Sequence, residues 1–328
     1  MTYQLGYEIE FCGLTSNEIS EAFAAAEVPY AGRYSYHGSR GAIASEGPGE
    51  GMRIPNLRDS KEYGPANPNA SVWVTEHDGS LRNTAGRGGC HEVISPFLYG
   101  RAGMDEARKV HKALVAAGAQ TNSSCGNHIS MGVGHNSRWA RFSQKRKAEV
   151  GGRIAWIYAH FQPVFDALSS NTRQSTVNCY TSAVNATRPF TGRGVVNART
   201  FVMTGKVEFR QPGYTLDWKN IEGWTMILQS IVSCAMNENH RSHVKGWRDF
   251  VEDLVRQPIS IDNMLRFLNP GRIASRWAHD RLVSNIHKWS QGREQRVQIR
   301  NQTYNRPSAL LGMRAFWFNG ETNIRRWD

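Results

Sequence analysis

Four glutamates and one histidine, each in a segment with strand-like alternation, are the residues of this chain best suited to chemistry. Successive side chains of an extended chain point to opposite faces. In Gly6-Tyr7-Glu8-Ile9-Glu10-Phe11, Leu5, Tyr7, Ile9 and Phe11 therefore share one face. Glu8 and Glu10 share the other, roughly 7 Å apart along the strand. The same period places Glu92 in a strand from Cys90 to Ser95. It groups Gly126, His128 and Ser130 on one face of Thr121 to Val133. It also groups Thr204, Lys206, Glu208 and Arg210 in a strand from Thr200 to Gln211. Val72, Val74, Glu76 and Asp78 form one face of a further strand, closed by a turn at Gly79 and Ser80. Two like charges about 4 Å apart repel by roughly 4 kcal/mol at an effective dielectric of 20. Four carboxylates on one concave face thus need counter-charge: either they diverge, or divalent cations hold them. Oxygen donors with a single imidazole suit Mg²⁺ or Mn²⁺ better than zinc. Cys90, His91 and His77 form the zinc alternative, but Ser95 stands where an H-E-x-x-H motif needs its second histidine.

The elements that must position these groups follow from periodicity and punctuation. Ser16 to Ala26 reads as a helix capped by Ser16 or Asn17. Residues 29–70 mix glycine and proline and read as a long loop or lid. Gly103 to Ala117 reads as a helix ended by Gly118. Gln144 to Leu168 reads as one long helix, kinked at Pro163. Residues 170–199 are a second polar loop. Asp217 caps a helix carrying Ile221, Trp224, Leu228, Ile231 and Val232. Further helices fill 246–290, and an arginine-rich tail begins at Gln291. The expected domains are a catalytic one over 1–240, a helical extension over 241–290 and the basic tail over 291–328.

Composition narrows the class. The chain has 328 residues, enough for a large core, and a net charge of +12 that suggests an anionic partner. No run of eighteen apolar residues marks a membrane span, and no secretory signal is visible, so a cytoplasmic location is expected. The five cysteines, Cys12, Cys90, Cys125, Cys179 and Cys234, lack C-x-x-C spacing and read as reduced thiols.

At this point the residues match a family. Gly6 to Phe11 resembles the opening G-x-E-x-E-F of the amidoligases, ATP-dependent carboxylate–amine ligases related to glutamine synthetase and glutamate–cysteine ligase. Val74 to Leu81 is similar to that family's second strand with its D-G-S turn. Glu92 to Pro96 is similar to its E-x-x-S-P segment, Cys125 to His128 to its C-G-x-H strand, and Gly205 to Arg210 to its strand ending in E-F-R. The five motifs occur in the family's order, over roughly residues 3 to 235. Where the family carries a second histidine, this chain has Ser130.

The resemblance implies an α+β fold: a curved antiparallel sheet of the glutamine synthetase type, with helices on its convex face and ATP with Mg²⁺ (or Mn²⁺) on its concave face. It implies Glu8, Glu10, Glu92, His128 and Glu208 as metal ligands and Arg210 as the contact to the transferred phosphate. Asp78 would accept the amine's proton. Lys206 and Arg82 are candidate phosphate contacts, with Asn197 and Arg199 just before the last strand. The expected partners are carboxylate and amine substrates, small molecules or peptides. A second reading keeps the scaffold without catalysis: an assembly protein that binds nucleic acid or another polyanion through its basic tail. No membrane partner is expected, and the oligomeric state, homo-oligomer included, is left open.

Overall fold

The computed structural model describes residues 3–34, 72–76, 80–133, 137–169, 194–198, 201–237 and 247–290. In chain order the elements are β1 (Gln4–Leu14), α1 (Ser16–Ala25), β2 (Tyr30–Tyr34), β3 (Trp73–Glu76), β4 (Gly89–Ile94) and β5 (Leu98–Tyr99). Then come α2 (Gly100–Ala116), β6 (Asn127–Gly132), α3 (Ser137–Ala140), α4 (Gln144–His160), α5 (Gln162–Leu168), β7 (Val196–Asn197), α6 (Phe201–Thr204) and β8 (Lys206–Phe209). The last are α7 (Trp218–Met236), α8 (Trp247–Arg256), α9 (Ile261–Leu268) and α10 (Arg272–Ser290). The chain divides into two compact units, Met1–Arg141 with Met203–Glu222, and Phe142–Val202 with Gly223–Asp328.

The first unit is α+β. Seven strands form its sheet, in the order β2-β3-β4-β1-β6-β8, with β5 pairing on β1. All pairs are antiparallel except β2 with β3, which is parallel. The central strand β1 behaves as its alternation requires. Leu5, Ile9 and Phe11 are fully buried and Tyr7 is 2% exposed. The N-terminal turn of α7 packs on this apolar face, with the rings of Tyr7 and Trp218 6.3 Å apart. Helix α2 crosses β1 and β5 and contributes the buried Met104, Val110, His111 and Leu114. It also anchors β3, because Trp73 Nε1 donates a 2.8 Å hydrogen bond to Glu106. Helix α1 is closed by a capping box, Thr15 with Glu18. The cap is Thr15 rather than Ser16 or Asn17.

Helix α2 lies so close to β5 that only glycine fits at 103. A Cβ there would stand 2.6 Å from Leu98 Cβ and 2.9 Å from the Leu98 carbonyl carbon. Backbone cannot give way as a flexible side chain can. Gly103→Ala should therefore cost about 1–3 kcal/mol, the range for overpacking, read from the denaturant midpoint.

The second unit, among its described residues, is helical apart from the two-residue strand β7. Phe161 and Phe267 lie 6.0 Å apart, and Phe165 and Trp224 6.2 Å apart. The expected long helix is two, α4 and α5. Phe161 interrupts it, and Pro163 sits in the first turn of α5, where its missing N–H costs nothing. The expected strand from Thr200 to Gln211 is shorter: Phe201 to Thr204 form a helical turn, Gly205 takes φ +70°, and only Lys206 to Phe209 are extended. Residues 29–70, 170–199 and the tail from 291 lie almost wholly outside the described residues; β2 and residues 194–198 are the parts described. No helix among the described residues is long and apolar enough to cross a membrane.

Candidate metal centre

Register decides whether the glutamates meet. On β1, Glu10 stands opposite Glu92 of β4, while Glu8 stands opposite His128 of β6. On β6, Ser130 stands opposite both Gly6 of β1 and Glu208 of β8. Four strands thus deliver their polar residues to one face of the sheet, opposite the apolar face covered by α2. Each strand contributes by simple alternation, and a one-residue slip of any of them would turn its ligand to the other face.

The side chains converge on the imidazole. His128 Nδ1 lies 2.8 Å from Glu8 Oε2 and 3.4 Å from Glu208 Oε1, and Nε2 lies 3.6 Å from Glu10 Oε1. Two groups of possible ligands result, sharing His128: Glu8, His128 and Glu208, and Glu10, Glu92 and His128. Within each group the ligand atoms all lie within 4.8 Å of one another. Arg210 stands at the edge, its Nε 2.9 Å from Glu208 Oε1. Lys206 sits opposite Gly132 on the same sheet, and its charge reaches Glu8.

The electrostatics follow from burial and neighbours. Burial pulls the His128 pKa down, but the hydrogen bond the ring donates to Glu8 and the charges of Glu8, Glu10 and Glu208 outweigh it, and the net shift is upward. Burial pushes the Glu8 carboxyl up, and it is overcome by His128, Lys206 and Arg210, which bring it down to about 2. Burial disfavours the charged Arg210, yet Glu208, Glu8 and Glu92 raise its pKa further. Among the described residues, the cationic groups that act on these carboxylates include His128, Lys206 and Arg210. Glu10 and Glu208 are 4% and 9% exposed, too buried for water to screen them well. The chemistry of the donors fits divalent cations of the hard kind, with Glu8, Glu10, Glu92, Glu208 and His128 as the residues able to hold them.

The remaining expected site residues are Arg82, Asn197, Asp78 and Arg199. Arg82 is exposed; its backbone N–H donates to Ser124 Oγ at 2.9 Å, and among the described residues no ion pair joins its side chain to the glutamates. Asn197 lies half-buried in β7 of the second unit. Asp78 and Arg199 lie outside the described residues. The zinc alternative loses two of its three ligands: Cys90 is bonded to Cys12, and His91 turns to the other face of β4, where Nε2 lies 2.9 Å from the Leu14 carbonyl; His77 lies outside the described residues.

That disulfide corrects the reading of all cysteines as reduced. Cys12 and Cys90 are paired across β1 and β4 with their Cα atoms 3.9 Å apart. Cys125 and Cys234 are buried and take no part in that disulfide. The signal was present in the spacing. Cys12 follows Glu10 by two residues and Cys90 precedes Glu92 by two, so a register that opposes the glutamates also opposes the cysteines. A second overlooked residue is Asn127, on the far side of β6 from His128. Its Nδ2 donates to the carbonyls of Gly213 (2.9 Å) and Thr215 (2.8 Å), fixing the segment that follows Arg210.

A family model described as "Putative amidoligase enzyme" matches residues 1–188, more than half of the chain. The matched stretch contains Glu8, Glu10, Glu92 and His128; Glu208 and Arg210 lie beyond it and reach the same face through the pairing of β8 with β6. No curated protein matches the chain. The sheet, its convergent acids and the matched stretch agree: this chain belongs to the amidoligase family.

Proposed function

We propose that this protein joins a carboxylate to an amine in an ATP- and Mg²⁺-dependent reaction, through an acyl phosphate. The observation that carries the reading is the convergence of Glu8, Glu10, Glu92 and Glu208 on His128, with Arg210 beside them. A carboxylate is a poor electrophile and must be activated. Its oxygen forms a bond to the γ-phosphorus as the bond to ADP breaks. The amine nitrogen then bonds to the acyl carbon, and phosphate departs with the carboxylate's oxygen. Divalent cations, when bound, would neutralise the phosphate oxygens during transfer. Glu8 and Glu208 would hold one and Glu10 and Glu92 another, with His128 ligating one of the two, because a neutral imidazole offers a single nitrogen lone pair. Arg210, held by Glu208, is the residue assigned to the charge on the transferred group, and Lys206 is assigned to a neighbouring phosphate. Asp78 is assigned the amine's proton.

The test is an isotope experiment. The protein is incubated with Mg·ATP, a panel of amines and ¹⁸O-labelled carboxylates. The reading expects ADP release that requires both substrates, and one ¹⁸O from the carboxylate in each phosphate released. ADP release with no label in the phosphate would count against an acyl phosphate.

A further inference from the structure

The same ladder that opposes Glu10 to Glu92 places Cys12 opposite Cys90 as the next pair on the same face. Two carboxylates held in register repel, and a covalent bond one pair away restrains the strands from separating or slipping. A cation gripped between Glu10 and Glu92 would act on the same two strands in the same sense. We propose that the Cys12–Cys90 bond is a redox-modifiable site coupled to the cation site: the oxidised pair holds Glu10 and Glu92 in place for a cation, and its reduction weakens that grip. This rests on the cation reading above.

The surroundings support a coupled unit. Cys12 is 1% and Cys90 9% exposed, and both pack with the buried Cys125 and with Leu81, Ala85 and Tyr214. The loop over them is tied to the same spot, since Asn122 Nδ2 donates to the Arg82 carbonyl at 2.7 Å and to Thr84 Oγ1 at 3.1 Å. Opening the bond frees two thiols inside a packed cluster whose next neighbours along both strands are cation ligands. The step is a two-electron exchange. A small dithiol reduces Cys12–Cys90 to two thiols, takes up their bond as its own cyclic disulfide, and supplies both protons.

Coupling is reciprocal. If the oxidised protein binds a cation more tightly, the cation must make the disulfide harder to reduce. The test equilibrates the full chain in dithiol redox buffers with and without Mn²⁺, then alkylates and maps the peptides. Cys125, labelled in every state, serves as the internal reference. The expected result is a midpoint about 30 mV more negative with Mn²⁺, which for two electrons is a tenfold difference in affinity. The shift should vanish in Glu92→Gln and persist in Glu208→Gln, which keeps the Glu10, Glu92 and His128 group. An unshifted midpoint in the wild type, or an equal shift in Glu92→Gln, overturns the proposal. Mn²⁺ binding to the oxidised protein, followed in parallel by electron paramagnetic resonance, separates the two readings. Binding without a shift removes the coupling alone, whereas no binding removes the cation site and the coupling with it.

Discussion

His128→Ala should remove one cation site and weaken the other in a single substitution, because its imidazole is common to the two groups of ligands and can ligate one cation at a time. The ring sits between Glu8 and Glu208 on its Nδ1 side and Glu10 on its Nε2 side. Removing it takes away the nitrogen ligand and also the hydrogen bond that Nδ1 makes with Glu8. Glu92→Gln should behave differently, weakening the Glu10 group while Glu8, His128 and Glu208 remain. Two classes of Mn²⁺ site in the wild type should thus become one in Glu92→Gln and at most one in His128→Ala. If metal ions supply several kcal/mol of transition-state stabilisation, ligase turnover in His128→Ala should fall by about 10³-fold. Mn²⁺ titrations monitored by paramagnetic resonance, with turnover measured alongside, check both parts. A His128→Ala protein that still binds two Mn²⁺ ions would refute the shared-ligand geometry.

Acid should destabilise the protein through a residue on the other face of the sheet. His111 of α2 is fully buried, its Nδ1–H donates to the Ala107 carbonyl at 2.8 Å, and its ring packs 5.4 Å from Trp218. Burial pulls its pKa down to about 4 from the ordinary 6.5, only partly offset by Ala107, Asn127 and Asp217. The folded state therefore resists a proton that the unfolded chain accepts. Stability is fully present above pH 6.5 and is lost as pH falls towards 4. The shift corresponds to about 3 kcal/mol. His111→Leu should remove that slope, so the loss of stability between pH 7 and pH 4 should be smaller than in the wild type by about that amount. Denaturant unfolding at both pH values measures it; parallel losses in the two proteins would show that His111 titrates normally. The consequence reaches the metal face, because Asn127 beside His111 also holds Gly213 and Thr215, just past Arg210.

The acidic face was legible because alternation is a local property. Glu8 and Glu10 must share a face whatever the strand pairs with, and burial of Leu5, Ile9 and Phe11 chooses which face is free. Register was not legible in the same way, because it depends on partners 80 to 200 residues away. Knowing that Glu10 opposes Glu92 would have predicted the Cys12–Cys90 bond. The helical turn at Phe201–Thr204 was hidden by β-branched and aromatic residues that favour strands, and Gly205 is what lets the chain turn into β8. The Thr15-x-x-Glu18 box was present in the sequence, but Ser16 and Asn17, equally good caps, stood beside it. Pro163 was correctly read as a disturbance, though not its size: it starts a new helix instead of bending the old one.

Crystals of the full chain grown with Mn²⁺ and a non-hydrolysable ATP analogue would test the metal centre most directly. The account predicts manganese anomalous peaks at two positions, one beside Glu8 and Glu208 and the other beside Glu10 and Glu92, with His128 ligating one of them and the nucleotide's phosphates on the same face of the sheet. Bound nucleotide with no manganese at those five side chains, or manganese held elsewhere, would contradict it.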